Sequence, residues 1–184
     1  MPKVEVFLDL DGVLVDFVNG ACKLHGVNNP YLSVDNLGKY EICDLIDIPP
    51  SKFFASMGHD FWANLEWLPD GKEIIDAILK YVKPEQVTLL TSPIKTLGCT
   101  SGKMDWIEKN VPKWRRSFLI GPGKHKIAGP GKLLIDDYDK NVDEWVTHGG
   151  RAIQVPRAMN RLHSVPTMDF VRFQLELYFA NNHD

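Results

Sequence analysis

Apolar runs that alternate with amphipathic stretches predict an α/β fold, in which a parallel sheet carries helices on both faces. Two observations support this. Short apolar runs at 3–9, 86–91, 117–121, 132–137 and 151–155 each read as a buried strand. Segments with apolar positions at helical spacing lie among them, most plainly at 69–82 and 139–148. A chain of 184 residues, 44% hydrophobic and 24% charged, suits one domain with a modest insertion.

Taken in order, "KVEVFLD" at 3–9 alternates and then fills with apolar residues. Gly12 marks a turn, and helical spacing predicts a helix over 13–25 that ends near "HGVNNP". Residues 26–70 are broken by "NNP", "IPP" and "SMGHD" into short helical pieces, rich in aromatics such as Tyr31, Tyr40, Phe53, Phe54, Phe61, Trp62 and Trp67. From "PDG" a helix runs to about Val82, with Ile74, Ile75, Ile78 and Leu79 on one face, Asp70 as its N-cap and Pro84 as its stop. "QVTLLT" is the second strand, and a short helix follows at 101–110 with Ser101 as its cap. "SFLIG" and "KLLIDD" are the third and fourth strands. A helix at about 139–148 closes in "HGG", the strand "RAIQV" stops at Pro156, and 168–180 form an amphipathic helix.

The charge balance narrows the function. With 24 acids against 21 bases the net charge is −3, so no basic excess advertises a nucleic-acid partner. No apolar run approaches the ~20 residues that span a bilayer. The N-terminal stretch lacks a signal-peptide pattern, and the three cysteines, Cys22, Cys43 and Cys99, form no CxxC pair. A cytoplasmic protein without disulfides or structural zinc is expected.

In parallel sheets, ligands bind at the carboxyl ends of the strands. The first strand ends in Asp9 with Asp11 beyond it, the second in Thr91 and Ser92, and the fourth in Asp136 and Asp137. Four carboxylates on one edge repel one another and call for a cation, and hard oxygen ligands suit Mg²⁺. Beside such a cation Asp9 stays ionised and can act as a nucleophile. Thr91, Ser92 and nearby lysines (Lys103, Lys124, Lys126) are the groups that hold and neutralise a transferring phosphoryl group. Each feature has a plainer explanation: acids and glycine are common in turns, "DD" can be a helix cap, and Lys103 can be a solvated helix lysine. An EF-hand is excluded, because residues 9–20 lack its third acid, central glycine and late Glu.

"DLDGV", "LLTS", a lysine and "LLIDD" resemble the four motifs of the haloacid dehalogenase superfamily of phosphohydrolases. Its dehalogenases lack the second acid and its P-type ATPases carry Thr there, so Asp11 implies the phosphatase branch. The chain is further similar to the 5'(3')-deoxyribonucleotidases in "DLDGVLVDF", "FWANLEWLP", "TSPIK", "KMDWIEK" and "RLHS". Residues 26–60 match poorly, and His125 stands where that family usually has Asp.

The resemblance implies a Rossmann-like parallel sheet, with a catalytic core of 1–16 and 71–184 and a small helical cap, 17–70, inserted after strand one. It implies an Mg²⁺-dependent phosphomonoesterase acting on a small phosphorylated substrate, a (deoxy)nucleoside monophosphate, with a homodimer allowed. Asp9 is the nucleophile and Asp11 the acid and base. Asp9, Asp136 and the backbone carbonyl of Asp11 hold the metal, with Asp137 in support. Thr91, Ser92, Lys103 and Lys126 bind phosphate, Lys126 by its distance from "LLIDD", while Lys95 is a weaker candidate and Lys124 is read as structural. Phe17 is expected on the base, with Tyr40, Phe61 and Trp62 extending the pocket. Trp106, Trp114 and Trp145 read as packing, and His25, His59, His125, His148 and His163 as structural or surface residues. The rivals are a phosphatase for another small ester such as a sugar phosphate, a nucleic-acid end phosphatase, and a binding protein on the same scaffold.

Overall fold

A computed structural model describes residues 4–181; Lys3, at the start of the first predicted strand, lies outside it. The strands are β1 (Glu5–Leu8), β2 (Val87–Thr91), β3 (Phe118–Ile120), β4 (Lys132–Asp136) and β5 (Arg151–Gln154). The helices are α1 (Phe17–His25), α2 (Ile42–Leu45), α3 (Pro50–Ala55), α4 (His59–Ala63), α5 (Gly71–Ile78), α6 (Cys99–Asn110), α7 (Asp139–Thr147) and α8 (Thr167–Ala180). All strand pairings are parallel, in the order β3-β2-β1-β4-β5.

Alternation along the strands assigns the two faces. Val6, Leu8, Leu89, Leu133, Ile135 and Ile153 join the larger core with Ile74 and Ile78 of α5, Ile107 of α6, and Val171, Leu175 and Phe179 of α8. Phe7, Leu90 and Leu134 face the other way and are covered by Trp145 of α7. Trp106, Trp114 and Trp145 are fully buried, as packing residues should be.

The register sets the site. Leu8 lies opposite both Leu89 and Ile135, which puts Asp9 beside Asp136 at the carboxyl edge of the sheet. The Asp9 N–H donates to the Ile135 carbonyl at 3.0 Å, carrying the ladder one residue past β1.

Helix ends differ from the sequence-based expectation. The first helix begins at Phe17 rather than 13, because the N–H groups of Val13, Leu14 and Val15 all turn back onto the Leu10 carbonyl. Asp16 caps α1, accepting from the Asn19 N–H at 3.1 Å. Helix α5 stops at Ile78, short of Val82, and Asp70 does not cap it. The Asp70 carboxylate is drawn instead to Arg157 by a two-pronged ion pair at 2.7 and 2.9 Å. Ser101 lies inside α6 and donates to the Gly98 carbonyl at 3.2 Å, so it is no cap either.

The stretch from α1 to α4 leaves and rejoins the rest of the chain through a narrow neck. Val15 pairs antiparallel with Trp67, the Asp16 N–H donates to Glu66 at 2.9 Å, and the Leu68 N–H donates to Leu14 at 2.8 Å. Helix α4 packs directly onto α6. A Cβ at Gly102 would lie 2.5 Å from the His59 carbonyl oxygen and 2.6 Å from the Trp62 Cβ, so only glycine permits this approach.

Candidate active site

Three buried carboxylates meet at the carboxyl edge of the sheet. Asp9, Asp136 and Asp137 each offer an oxygen, and these oxygens lie within 4.8 Å of one another. The buried Lys124 ammonium sits 2.7 Å from Asp9 Oδ1 and 2.7 Å from Asp136 Oδ2. Asp136 also accepts from the Tyr138 N–H at 2.9 Å and from Asn141 Nδ2 at 3.1 and 3.2 Å. Asp137 Oδ2 is buried with no hydrogen-bond partner among the described residues. Gly12, at φ +76°, folds the turn after Asp11 over Asp137 so closely that a Cβ there would collide with the carboxylate.

The electrostatics are those of acids crowded out of water. Burial pushes the Asp9 carboxyl up to about 7, with Asp136 and Asp11 adding to the rise and Lys124 opposing it. Burial likewise holds Asp137 well above the usual carboxylate range, with Asp136 and Asp9 adding and Arg157 opposing. Burial is the largest influence on Lys124 and works against its charge, but the Asp136 and Asp9 carboxylates outweigh it and raise its pKa. Three buried carboxylates thus share one buried ammonium, which touches only Asp9 and Asp136, and Asp137 keeps a buried oxygen without a hydrogen-bond partner. This donor set fits a hard divalent cation.

Asp11 stands apart from this group. Its side chain pairs with Lys103, whose Nζ also donates to Thr91 Oγ1 at 2.7 Å and to the Ser92 carbonyl at 2.9 Å. The expectation that Asp11 belongs to the metal set therefore does not extend to its carboxylate. Lys103 is only 3% exposed and lies 5.0 Å from the Trp62 ring centroid, so it is not a solvated helix lysine. Ser92 Oγ donates to the Gly121 carbonyl at 3.3 Å.

The lysine before β4 needs a correction. Lys124, not Lys126, reaches the carboxylates, and Lys126 is exposed. A 3₁₀ turn over Lys124–Ile127 turns Lys124 inward, and 128–131, "AGPG", lengthen the path to β4. Counting residues back from "LLIDD" cannot register that detour.

A cavity of about 310 Å³ is lined by Asp9, Asp11, Ser92 and Lys124 together with the aromatic rings of Phe17, Trp62, Tyr31, Tyr40 and Tyr138. Phe17 stacks on Trp62 with centroids 5.6 Å apart, and Tyr40 stacks on Tyr138 at 3.9 Å. Phe61 is not among the lining residues; it packs edge-on behind Phe17 at 6.2 Å and faces a separate hollow beside Asp16 and Gly20. Sequence reasoning passed over Tyr31, Tyr138, Asn141 and Arg157. For Arg157 the available signal was the polar stretch "PRAMNR" directly after the fifth strand, on the same sheet edge as the acids.

An all-parallel sheet with carboxylates at two adjacent strand ends, and a lysine between them, is the arrangement that the resemblance to the haloacid dehalogenase phosphohydrolases implies. Solved structures share the fold. A haloacid dehalogenase-like hydrolase from Xanthomonas campestris has a TM-score of 0.62 at 13% identity, over 98% of this chain and 93% of that one. A putative haloacid dehalogenase-like hydrolase from Bacteroides fragilis has a TM-score of 0.55 at 14% identity, over 89% and 94%. A family hydrolase from Deinococcus radiodurans, solved with bound phosphate and sodium, has a TM-score of 0.53 at 13% identity, over 86% and 84%. No curated protein matches the chain. Residues 3–172 match the model of the family described as "5' nucleotidase, deoxy (Pyrimidine), cytosolic type C protein", and the chain belongs to that family. It is a phosphatase, a 5'-nucleotidase-like hydrolase of small phosphorylated substrates.

Proposed function

We propose that the chain is an Mg²⁺-dependent phosphomonoesterase that dephosphorylates nucleoside monophosphates, deoxyribonucleotides above all, through an aspartyl-phosphate at Asp9. The observation that carries this reading is the aromatic cavity whose wall includes Asp9, Asp11 and Lys124, Asp9 being the member it shares with the Asp9–Asp136–Asp137 cluster. Asp9, Asp136 and the backbone carbonyl of Asp11 would hold the cation, with Asp137 supporting them. The cation supplies charge neutralisation at the phosphoryl oxygens.

In the first step an Asp9 carboxylate oxygen forms a bond to phosphorus as the ester P–O bond breaks, and Asp11 gives its proton to the departing alkoxide. In the second, water attacks the aspartyl-phosphate and yields its proton to Asp11; phosphate leaves and Asp9 is restored. Thr91, Ser92 and Lys103 bind phosphoryl oxygens, and Lys124, in the role expected of Lys126, offsets charge between nucleophile and phosphate. Residues 17–70 act as the cap, and Phe17, Trp62, Tyr40 and Tyr138 enclose the base and sugar.

A panel of ribo- and deoxyribonucleoside 5'- and 3'-monophosphates and sugar phosphates, assayed with Mg²⁺ and with EDTA, tests this. Deoxyribonucleotides are expected to show the highest kcat/KM, and EDTA to abolish release of phosphate. A sugar phosphate turned over faster than every nucleotide would overturn the substrate assignment, and full activity in EDTA the metal assignment.

A further inference from the structure

We propose that the segment after β5, residues 156–161, is a brace for both acid loops, with Arg157 the positioning residue for Asp11. No step above uses Arg157, yet its guanidinium donates to five groups, among them the Pro156 carbonyl at 3.3 Å and Thr167 Oγ1 at 3.4 Å. Nε reaches the Gly12 carbonyl at 2.5 Å and Nη2 the Val13 carbonyl at 3.2 Å. Nη1 and Nη2 hold the two Asp70 oxygens at 2.7 and 2.9 Å. The two carbonyls belong to the residues directly after Asp11, and Asp70 precedes α5, just past the neck.

Those carbonyls need an outside partner. Inside the turn, the Gly12 N–H donates to Val15, and the Val13, Leu14 and Val15 N–H groups converge on Leu10 at 3.2, 2.8 and 2.9 Å. Arg157 supplies the missing donors. A charged, planar fork with several N–H groups can hold carbonyls and a carboxylate together, which the single ammonium of lysine cannot.

Asn160 does the same for the second acid loop. It is fully buried, and its Nδ2 donates to the Asp137 carbonyl at 2.7 Å and the Val155 carbonyl at 2.8 Å. Its Oδ1 accepts from the N–H groups of Arg157 at 3.2 Å and Leu162 at 3.0 Å. One short segment thus ties the turn after β1 to the turn after β4, fixing the acid–base residue relative to the nucleophile. Displacing a reacting group by about 1 Å can cost about a hundredfold in rate.

The turnover readout rests on the proposed hydrolysis; the exchange readout does not. Arg157→Lys, Arg157→Ala and Asp70→Asn are made in the full chain and assayed with an aryl phosphate and Mg²⁺. Arg157→Lys is expected to melt within about 5 °C of the parent, while kcat falls about a hundredfold and KM moves less than about threefold. Added guanidinium ion should restore turnover of Arg157→Ala, and Asp70→Asn should lose melting temperature but keep kcat per folded molecule. In Arg157→Lys, amide hydrogen exchange should quicken at 13–15 and stay slow in β1. Parent-like kcat per folded molecule in both Arg157 variants, no guanidinium rescue, or unchanged exchange at 13–15 would each overturn the brace. A parent protein inactive on every phosphate ester would sink the hydrolysis reading, and the exchange result would still decide the brace.

Discussion

The acid cluster and the aromatic wall face each other across one cavity but are built by different means. The acids stand at the ends of adjacent strands, and their separation follows from the register of β1 against β4. Charged partners hold them, Lys124 between Asp9 and Asp136 and Lys103 on Asp11. Most of the aromatic wall comes from short helices and turns between α1 and α4, with ring contacts such as Phe17 on Trp62, while Tyr40 stacks on Tyr138 of the β4–α7 turn. A ladder of backbone hydrogen bonds fixes positions that a few stacked rings leave adjustable. The proposed function thus puts chemistry on the sheet edge and selectivity on the aromatic wall.

The sharpest way to break that contrast is Asp9→Asn. It keeps the shape and removes the proposed nucleophile, so kcat should fall by at least about a thousandfold with the fold intact; near-parent turnover, measured as phosphate release, would refute the division. Next comes the pair Lys124→Met and Lys126→Met. The first should lose about a hundredfold or more in kcat and several kcal/mol of stability, about 3–5, because it leaves buried carboxylates unpaired. The second, at an exposed position, should match the parent within about twofold. Equal effects from the two would show that the buried lysine has no special role.

On the aromatic side, Tyr40→Leu should raise KM about tenfold with kcat changed far less, because it removes contact shared by bound substrate and transition state. A selective loss of kcat would place Tyr40 with the chemistry instead. The smallest effect is in stability against pH. The folded Asp9 carboxyl sits at about 7 against an ordinary 3.8, so between those values the folded chain holds a proton that the unfolded chain releases. Raising the pH through that window therefore costs stability in EDTA. Saturating Mg²⁺ favours the carboxylate and should flatten the slope; identical melting curves against pH in EDTA and Mg²⁺ would contradict a cation at these acids.

How much of this was legible before folding differs by region. The strands were readable because each is a short apolar run with a clear stop, and β1 and β4 announce their ends with acids. Helix boundaries were less so. Asp70 has the right type and position for a cap, but tertiary attraction to Arg157, 87 residues on, claims its carboxylate. The aromatic insertion was readable in composition only. Phe17 and Trp62 do line the cavity, while Phe61, equally aromatic and adjacent to Trp62, points to the other side of α4.

By itself the sequence determined the parallel sheet and its acidic edge, because strand periodicity is local and repetitive; it gathered Asp9, Asp11, Asp136 and Asp137 there, and the structure set Asp11 apart on Lys103. Tertiary structure alone decided which lysine is buried, which ring faces the cavity and which distant side chain holds the turn after Asp11. Those choices depend on loop path and on partners far along the chain. Lys124 and Lys126 stand two residues apart in "KHK", and only the 3₁₀ turn sends one to the acids and the other to water.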